Sequence, residues 1–507
     1  MTLPTELPKW YQVEEDQEKG WTPKTSDIII SNNLANTGIR EAWYAQNNTT
    51  YTPTAAPDPL LRLQILTPIQ VGGGSLPEGM ILPAQIGGYP CIPGSSLRGA
   101  LLNWIRQNWN RIGTTEQEFW QELIKEEREG WKPRQIRFES IGLKNLEPYP
   151  LNAQQEWQVF LENRGALSIQ WQASPADPPS INPTLLNLRI ITREPLNQEQ
   201  KGWLKTRMKE TLEQQGIGRG KNSGFGRLVE RQTNWDWEIK VTGAKPGIQT
   251  KNRNDNIEGR YRWTPQVLRA NLRGWFMRLA LRAMSARDAD QLTQQIFGGF
   301  GSPAELKLVS YRAYYREVAG GGINNEQYAN IPQNIVRETW LIRAKSSDNH
   351  RETIGKLLEI SQRLGGIGPG WRRPPHELRG GQLYRGSEFS VETVYRETGI
   401  RELIEGMIET IKQLARRRGI EPQNPREIPR GGMQSIWKSE DPRKWREIVH
   451  EVCASNAANR PQWCGSTNRP SGYAARQHDN YCLITTFENN MEATLRQRGF
   501  TKIELQT

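Results

Sequence analysis

Cys91-Ile92-Pro93-Gly94-Ser95-Ser96-Leu97-Arg98-Gly99-Ala100-Leu101 is the stretch whose reading decides the fold. The Pro-Gly pair interrupts what precedes it. Behind it Leu97, Leu101, Ile105 and Trp109 recur every four residues, so a helix with one apolar face starts here. Ser96 is the expected N-cap, because its hydroxyl can accept an orphan amide of the first turn.

Upstream, Leu61, Leu63 and Ile65 alternate with Arg62 and Gln64, a strand pattern that stops at Gly72-Gly73-Gly74. Downstream, a second helix is expected near Asn197, with Leu204, Met208 and Leu212 on one face. It runs into the glycine-rich segment Gly216 to Gly226, followed by Arg227 and the strand-like Leu228-Val229. Strand, helix, strands, helix, glycine loop, strand is the order of an α+β sandwich of ferredoxin-like type.

The order then recurs. A strand near Trp235–Val241 leads to a helix over Pro265–Ala283, whose face is Leu268, Leu272, Trp275 and Leu279. Strand-like segments follow around Leu306–Val309 and Thr339–Ile342. A helix carrying Ile354, Leu357, Leu358 and Leu364 then breaks into Gly365 to Gly370, followed by Trp371, Arg372 and Arg373. A repeat so long is natural for a tandem duplication and too long for a solenoid. The expected division is an N-terminal arm (1–59), a first module (60–235), a second module core (236–400), and a C-terminal insertion (401–507). That insertion is expected to carry the closing strand–helix of the second module.

The chain has 507 residues and a formal charge of +12, with a pI near 9.5 and a mean hydropathy of −0.74. Residues 1–59 carry a net −4, so the remainder carries +16. Such an excess points to a polyanion, whose condensed counterions clustered Lys and Arg release; a solvated basic surface is the plainer alternative. Arg416-Arg417-Arg418 and Arg372-Arg373 sharpen the bias. Nineteen tryptophans argue for packed cores rather than disorder. No stretch is apolar for long enough to span a bilayer. The acidic N-terminus lacks the basic start and apolar centre of a signal peptide, so a cytoplasmic location is expected. Four cysteines make no disulfide framework.

In Gly216 to Arg227 the glycines allow positive φ and close backbone approach, so main-chain amides could face phosphate oxygens while Arg219, Lys221 and Arg227 neutralise them. The spacing is not that of a P-loop, and the segment follows a helix rather than a strand, so it is no dinucleotide fingerprint. A flexible glycine turn is the simpler reading of this loop standing alone.

The Ile92 to Leu101 phrase resembles the "IPGSSLRGAL" signature of the RAMP superfamily of CRISPR systems, and the glycine-rich loop is that family's second mark. Thr264-Pro265-Gln266-Val267-Leu268-Arg269-Ala270-Asn271-Leu272-Arg273-Gly274 resembles it in degenerate form. The Ile296-Phe297-Gly298 that follows is similar to a motif of some type III subunits. The resemblance covers residues 60–400. It implies two modified RNA-recognition-motif modules in a ribonucleoprotein effector of antiviral defense. The implied partners are guide (CRISPR) RNA, target RNA, other RAMP-type subunits and the large signalling subunit. It implies guide-backbone contacts from Ser95, Ser96 and Arg98, with Arg219, Lys221 and Asn222 nearby and Arg227 closing the loop. In the second module it implies the same of Arg269, Asn271, Arg273, Arg372 and Arg373.

Members that cut target RNA carry an aspartate between first strand and first helix, where attack is metal-dependent. The first module has Glu78 there and no aspartate, with Ile81 or Leu82 at the matching place; the second has Asp255 among Asn252, Asn254 and Asn256. Asp255 with a divalent ion such as Mg²⁺ is thus the catalytic candidate, and a solvated turn aspartate the plainer reading. Separately, His450, Cys453, Cys464, His478 and Cys482 crowd one short segment, and Zn²⁺ would accept any four of them. Two other functions stay open: a non-catalytic cap that binds target RNA, and a guide-processing endoribonuclease. The second usually needs a His or Tyr base, and histidine is scarce here.

Overall fold

The computed structural model describes residues 13–16, 20–23, 58–73, 80–81, 83–86, 89–124, 136–143, 146–150, 169–173, 185–192, 195–230, 235–243, 248–249, 261–262, 264–299, 304–317, 338–368, 370–377, 384–391, 399–454, 459–465 and 470–505. They fall into two compact units that divide between Asn234 and Trp235. The fold is α+β, with small, mostly antiparallel sheets.

In the first unit β1 (Leu61–Ile65) precedes α1 (Gly94–Gln107) and α2 (Thr114–Ile124). Then come β2 (Ile136–Phe138), the successive strands β3 (Leu186–Leu188) and β4 (Ile190–Thr192), α3 (Gln198–Glu210), and β5 (Leu228–Val229). β1 pairs antiparallel with β3 on one side and β5 on the other, and β4 pairs antiparallel with β2. The β3–β4 run is one edge-to-centre track, so the order is second, third, first, fourth. This is the antiparallel βαββαβ arrangement that the sequence order suggested. Leu61 and Leu63 go inward, as do Leu97, Leu101 and Ile105 of α1 and Leu204, Met208 and Leu212 from α3 onward. Asn197 caps α3, accepting from the Gln200 amide while the Gln200 side chain accepts from the Asn197 amide.

The second unit repeats this order. β6 (Trp237–Gly243), α4 (Pro265–Ala283), α5 (Ala286–Phe297), β7 (Val309–Glu317), β8 (Glu338–Lys345), α6 (Arg351–Leu364) and β9 (Ser387–Val391) follow one another. Their sheet runs β7-β8-β6-β9. α7 (Ile400–Arg416) packs Ile404, Met407 and Ile411 into the same core.

The C-terminal segment differs from expectation. The closing strand of the second module is β9, which pairs with β6, and the last 70 or so residues form a sheet of their own. There β10 (Ser435–Ser439), a π-turn (Glu447–Val452), β11 (Tyr473–Gln477), β12 (Cys482–Thr486), α8 (Glu492–Gln497) and β13 (Thr501–Ile503) are arranged β11-β12-β10-β13. That is the βαββαβ order a third time. One face, with Trp437, Tyr473, Ala475 and Ile484, packs with Trp445 and Leu495 into a separate core. The opposite residues Ile436, Ala474 and Leu483 join the core of the second module. The sheet is therefore buried on both faces, which its near-continuous apolar run Cys482-Leu483-Ile484 allows.

Candidate nucleic-acid interface

The helix entry of the first unit is built differently from the sequence expectation. α1 starts at Gly94, and Pro93 occupies the cap position without a side-chain hydrogen bond. Ser96 lies inside the first turn, its amide donating to Pro93 O at 3.0 Å. The orphan amide of Gly94 is satisfied from far away in sequence: it donates to Ser140 Oγ at 3.1 Å. Gly94 is glycine for contact, because a Cβ there would lie 1.9 Å from Phe138 O. Ser95 is exposed, and Ser96 and Arg98 are half-exposed.

The glycine loop also departs from expectation. Gly216, Gly218, Gly220, Gly224 and Gly226 all have positive φ. Their conformations fold the loop onto its own unit: Ile217 N donates to Gly226 O, Arg219 N to Gln70 O and Gly226 N to Pro68 O, each at 2.9 Å. Arg227 N donates to Thr67 Oγ1 at 2.9 Å. A Cβ on Gly218 would meet Gln70 O at 2.0 Å. These amides are consumed internally rather than turned to a ligand. Arg227 is corrected likewise: it is 2% exposed and its Nη2 donates to Lys221 O at 3.0 Å, bracing the loop from inside. What the loop offers outward is Arg219 and Asn222, both exposed, and the half-buried Lys221. Burial, then the charge of Arg227, lowers the Lys221 pKa.

In the second unit Arg269 is the fifth residue of α4, as Arg98 is of α1. Arg269 and Arg273 sit one turn apart. Arg269 Nη2 and Arg273 Nε are sealed from solvent without a hydrogen-bond partner. Burial, then the charge of Arg273, pushes Arg269 down to about 10. Asn271 turns inward instead, donating from Nδ2 to Gly366 O at 3.1 Å and accepting from Ser361 Oγ at 2.5 Å. It fastens the second glycine loop and is not a surface contact. Arg372 and Arg373, in that loop, are both half-buried.

Arg278 was not among the sequence candidates, although the Arg-Gly-Trp-Phe-Met-Arg run contains it. Its guanidinium lies 4.8 Å from the Trp371 ring centroid and 4.9 Å from that of Phe487. Nothing in α4's periodicity reveals this, because Phe487 comes from the far C-terminal sheet. The Arg416-Arg417-Arg418 run contributes less free charge than its sequence suggests. Arg416 pairs with Glu409 at 3.4 Å, and Arg418 grips Glu305 with two nitrogens.

The five zinc candidates are not brought together. Cys453 and Cys464 form a single disulfide. Cys482 is buried in β12, and burial first of all raises its pKa to about 11. The His478 ring stacks on Tyr481 at 4.4 Å and its Nε2 lies 3.0 Å from Arg363 O. His450 lies beside Trp445. No group of three or more metal-ligating side chains is assembled among the described residues. Asp255, with Asn252, Asn254 and Asn256, lies outside the described residues, as do Glu78 and Leu82; Ile81 is in a short strand.

The order of elements and the strand order define a ferredoxin-like class of module. Residues 62–229, about a third of the chain, match the family model described as RAMP superfamily. Among solved structures the chain is similar to Cmr1 from Pyrococcus furiosus in its apo form. The identity is 11% and the TM-score 0.31, over 52% of this chain and 98% of that one. No curated protein sequence matches it. No helix among the described residues is long and apolar enough to cross a membrane.

Proposed function

We propose that this protein binds single-stranded RNA along its backbone as a tandem-module subunit of a type III CRISPR effector complex. Guide RNA, target RNA and further RAMP-type subunits would be its partners. The observation that carries the reading is the repeated placement of cations on corresponding elements. In each unit the fifth residue of the first helix is an arginine, and the glycine loop carries cations of its own. In the second unit Arg269 and Arg273 have no carboxylate partner among the described residues. Such guanidiniums suit phosphate oxygens, whose release of counterions drives binding. RNA cutting would fall to Asp255, with a divalent ion such as Mg²⁺.

The test replaces Arg98 and Arg219 together by Glu. Co-purified guide RNA should fall sharply, and the slope of log affinity against log salt should flatten by about one per lost phosphate contact. Unchanged guide retention and slope would overturn the proposal. Asp255→Ala in the assembled complex, with target fragments resolved by length, separates a cutting subunit from a binding scaffold.

A further inference from the structure

The second unit holds a cluster in which two guanidiniums share one pair of rings. Arg278 lies 4.8 and 4.9 Å from the Trp371 and Phe487 centroids, and Arg372 lies 5.0 and 5.3 Å from the same two. Trp275 closes the group edge-on, 5.3 Å from Trp371 and 6.1 Å from Phe487. Three separate parts of the chain meet here: α4, the second glycine loop, and the end of β12 in the C-terminal sheet.

The charges at this junction are poorly balanced. Among the described residues neither Arg278 nor Arg372 has an ion pair, and Arg373 is adjacent. The nearby carboxylate is Glu488, which follows Phe487 and also pairs with Arg430 at 3.5 Å. Arg278 Nε and Trp275 Nε1 are sealed from solvent without hydrogen-bond partners. Both are donors, so what the cluster lacks is an acceptor. Burial and then the charge of Arg372 push Arg278 down to about 9; burial and then Arg373 push Arg372 down to about 10, against the pull of Glu488.

We propose that Arg278 and Arg372, stacked on Trp371 and Phe487, form a binding site for a phosphate group. Stacking occupies the faces of a guanidinium and leaves its N–H edges in plane, where they can fork onto phosphate oxygens. The rings are already covered by the two arginines, so the site takes the phosphate rather than a base. It deepens the RNA reading and rests on it for the source of the phosphate, which is either a backbone diester or a terminal monoester. It also gives the third βαββαβ element a task. That element's sheet is buried on both faces, and through Phe487 it contributes one wall of the site.

The test uses the full-length protein freed of nucleic acid. At constant ionic strength, inorganic phosphate in place of chloride should raise the wild-type Tm by about 2 °C or more. The rise should vanish in Arg278→Gln and Arg372→Gln. Arg278→Lys keeps the charge and loses the fork, so it should fold with a near-wild-type Tm and still lose the phosphate effect. RNA affinity should fall about tenfold in each variant, the size of a lost charge-assisted contact. Oligonucleotides of one sequence with a 5′-phosphate or a 5′-hydroxyl separate the sources. A wild-type preference for the first that disappears in Arg278→Gln identifies a terminal phosphate; equal binding that drops in the variant identifies a diester. No phosphate-specific rise in wild type, or a rise that persists in the variants, overturns the site even if RNA binds. If wild type binds no RNA while the phosphate effect behaves as stated, the RNA reading fails and the phosphate site stands.

Discussion

Asn271 on α4 donates its side-chain amide to the carbonyl of Gly366, 95 residues away, and accepts from Ser361 on α6. It ties first helix, second helix and glycine loop together in a buried place. Replacement by Ala strands the Ser361 hydroxyl and the Gly366 carbonyl, a cost of about 1–3 kcal/mol. Denaturant unfolding should show the loss with little change in m-value. RNA affinity should change less than in Arg269→Gln, since Asn271 acts on loop position and not on charge.

Gly94 and Gly99 share a helix and differ in what surrounds them. A methyl group on Gly94 would run into Phe138 O, so Gly94→Ala should destabilise by about 2–3 kcal/mol through forced separation of α1 from β2. Gly99 is exposed with nothing near its missing Cβ. Gly99→Ala should stabilise by about 0.5–1 kcal/mol, the helix-propensity gain. Thermal melts of the two variants should therefore move in opposite directions.

Glu116 of α2 is 6% exposed. Its carboxylate accepts from Arg207 Nε at 2.8 Å, from Arg207 Nη2 at 2.9 Å and from Trp120 Nε1 at 3.0 Å. Burial raises the Glu116 pKa, but the hydrogen bonds from Arg207 and Trp120 outweigh it and the net shift is downward. Glu116→Ala leaves the Arg207 guanidinium over Trp104 without its main counter-charge and should cost about 3–5 kcal/mol. The double variant with Arg207→Met should recover part of that loss, which a double-mutant cycle reads directly.

His478 gives the C-terminal element an acid sensitivity. Burial lowers its pKa to about 4, against a hydrogen bond to Arg363 O that acts the other way. The folded state therefore binds its proton less readily than the unfolded chain does. Stability is full above pH ~6.5, and is lost as the pH falls through 6.5 towards 4, where the unfolded state takes up the proton first. The loss should be on the order of 2–3 kcal/mol. His478→Gln should flatten that part of the stability–pH curve; an unchanged slope would refute the assignment.

Periodicity alone determined much of this protein. The α4 span and the faces of α1 and α3 follow from the spacing of Leu, Ile and Trp, because a helix that buries one side must repeat its apolar residues every three to four positions. The duplicated order of elements was legible for the same reason. In the C-terminal element a strand and a helix, around Tyr481–Phe487 and Met491–Gln497, were legible as β12 and α8. That they belong to a third βαββαβ unit was not, since β10 and β11 mix small and polar residues and gain their burial only from the sheet between two cores. The roles of individual polar residues were decided by the tertiary structure. Pro93 took the cap position expected of Ser96 while Ser140 accepts from the Gly94 amide, Asn271 and Arg227 turned inward, and the glycine-loop amides closed on Gln70 and Pro68. A side chain's charge or hydrogen-bonding capacity is written in the sequence. Which partner satisfies it depends on the residues that folding brings to within three ångströms, and those lie anywhere along the chain.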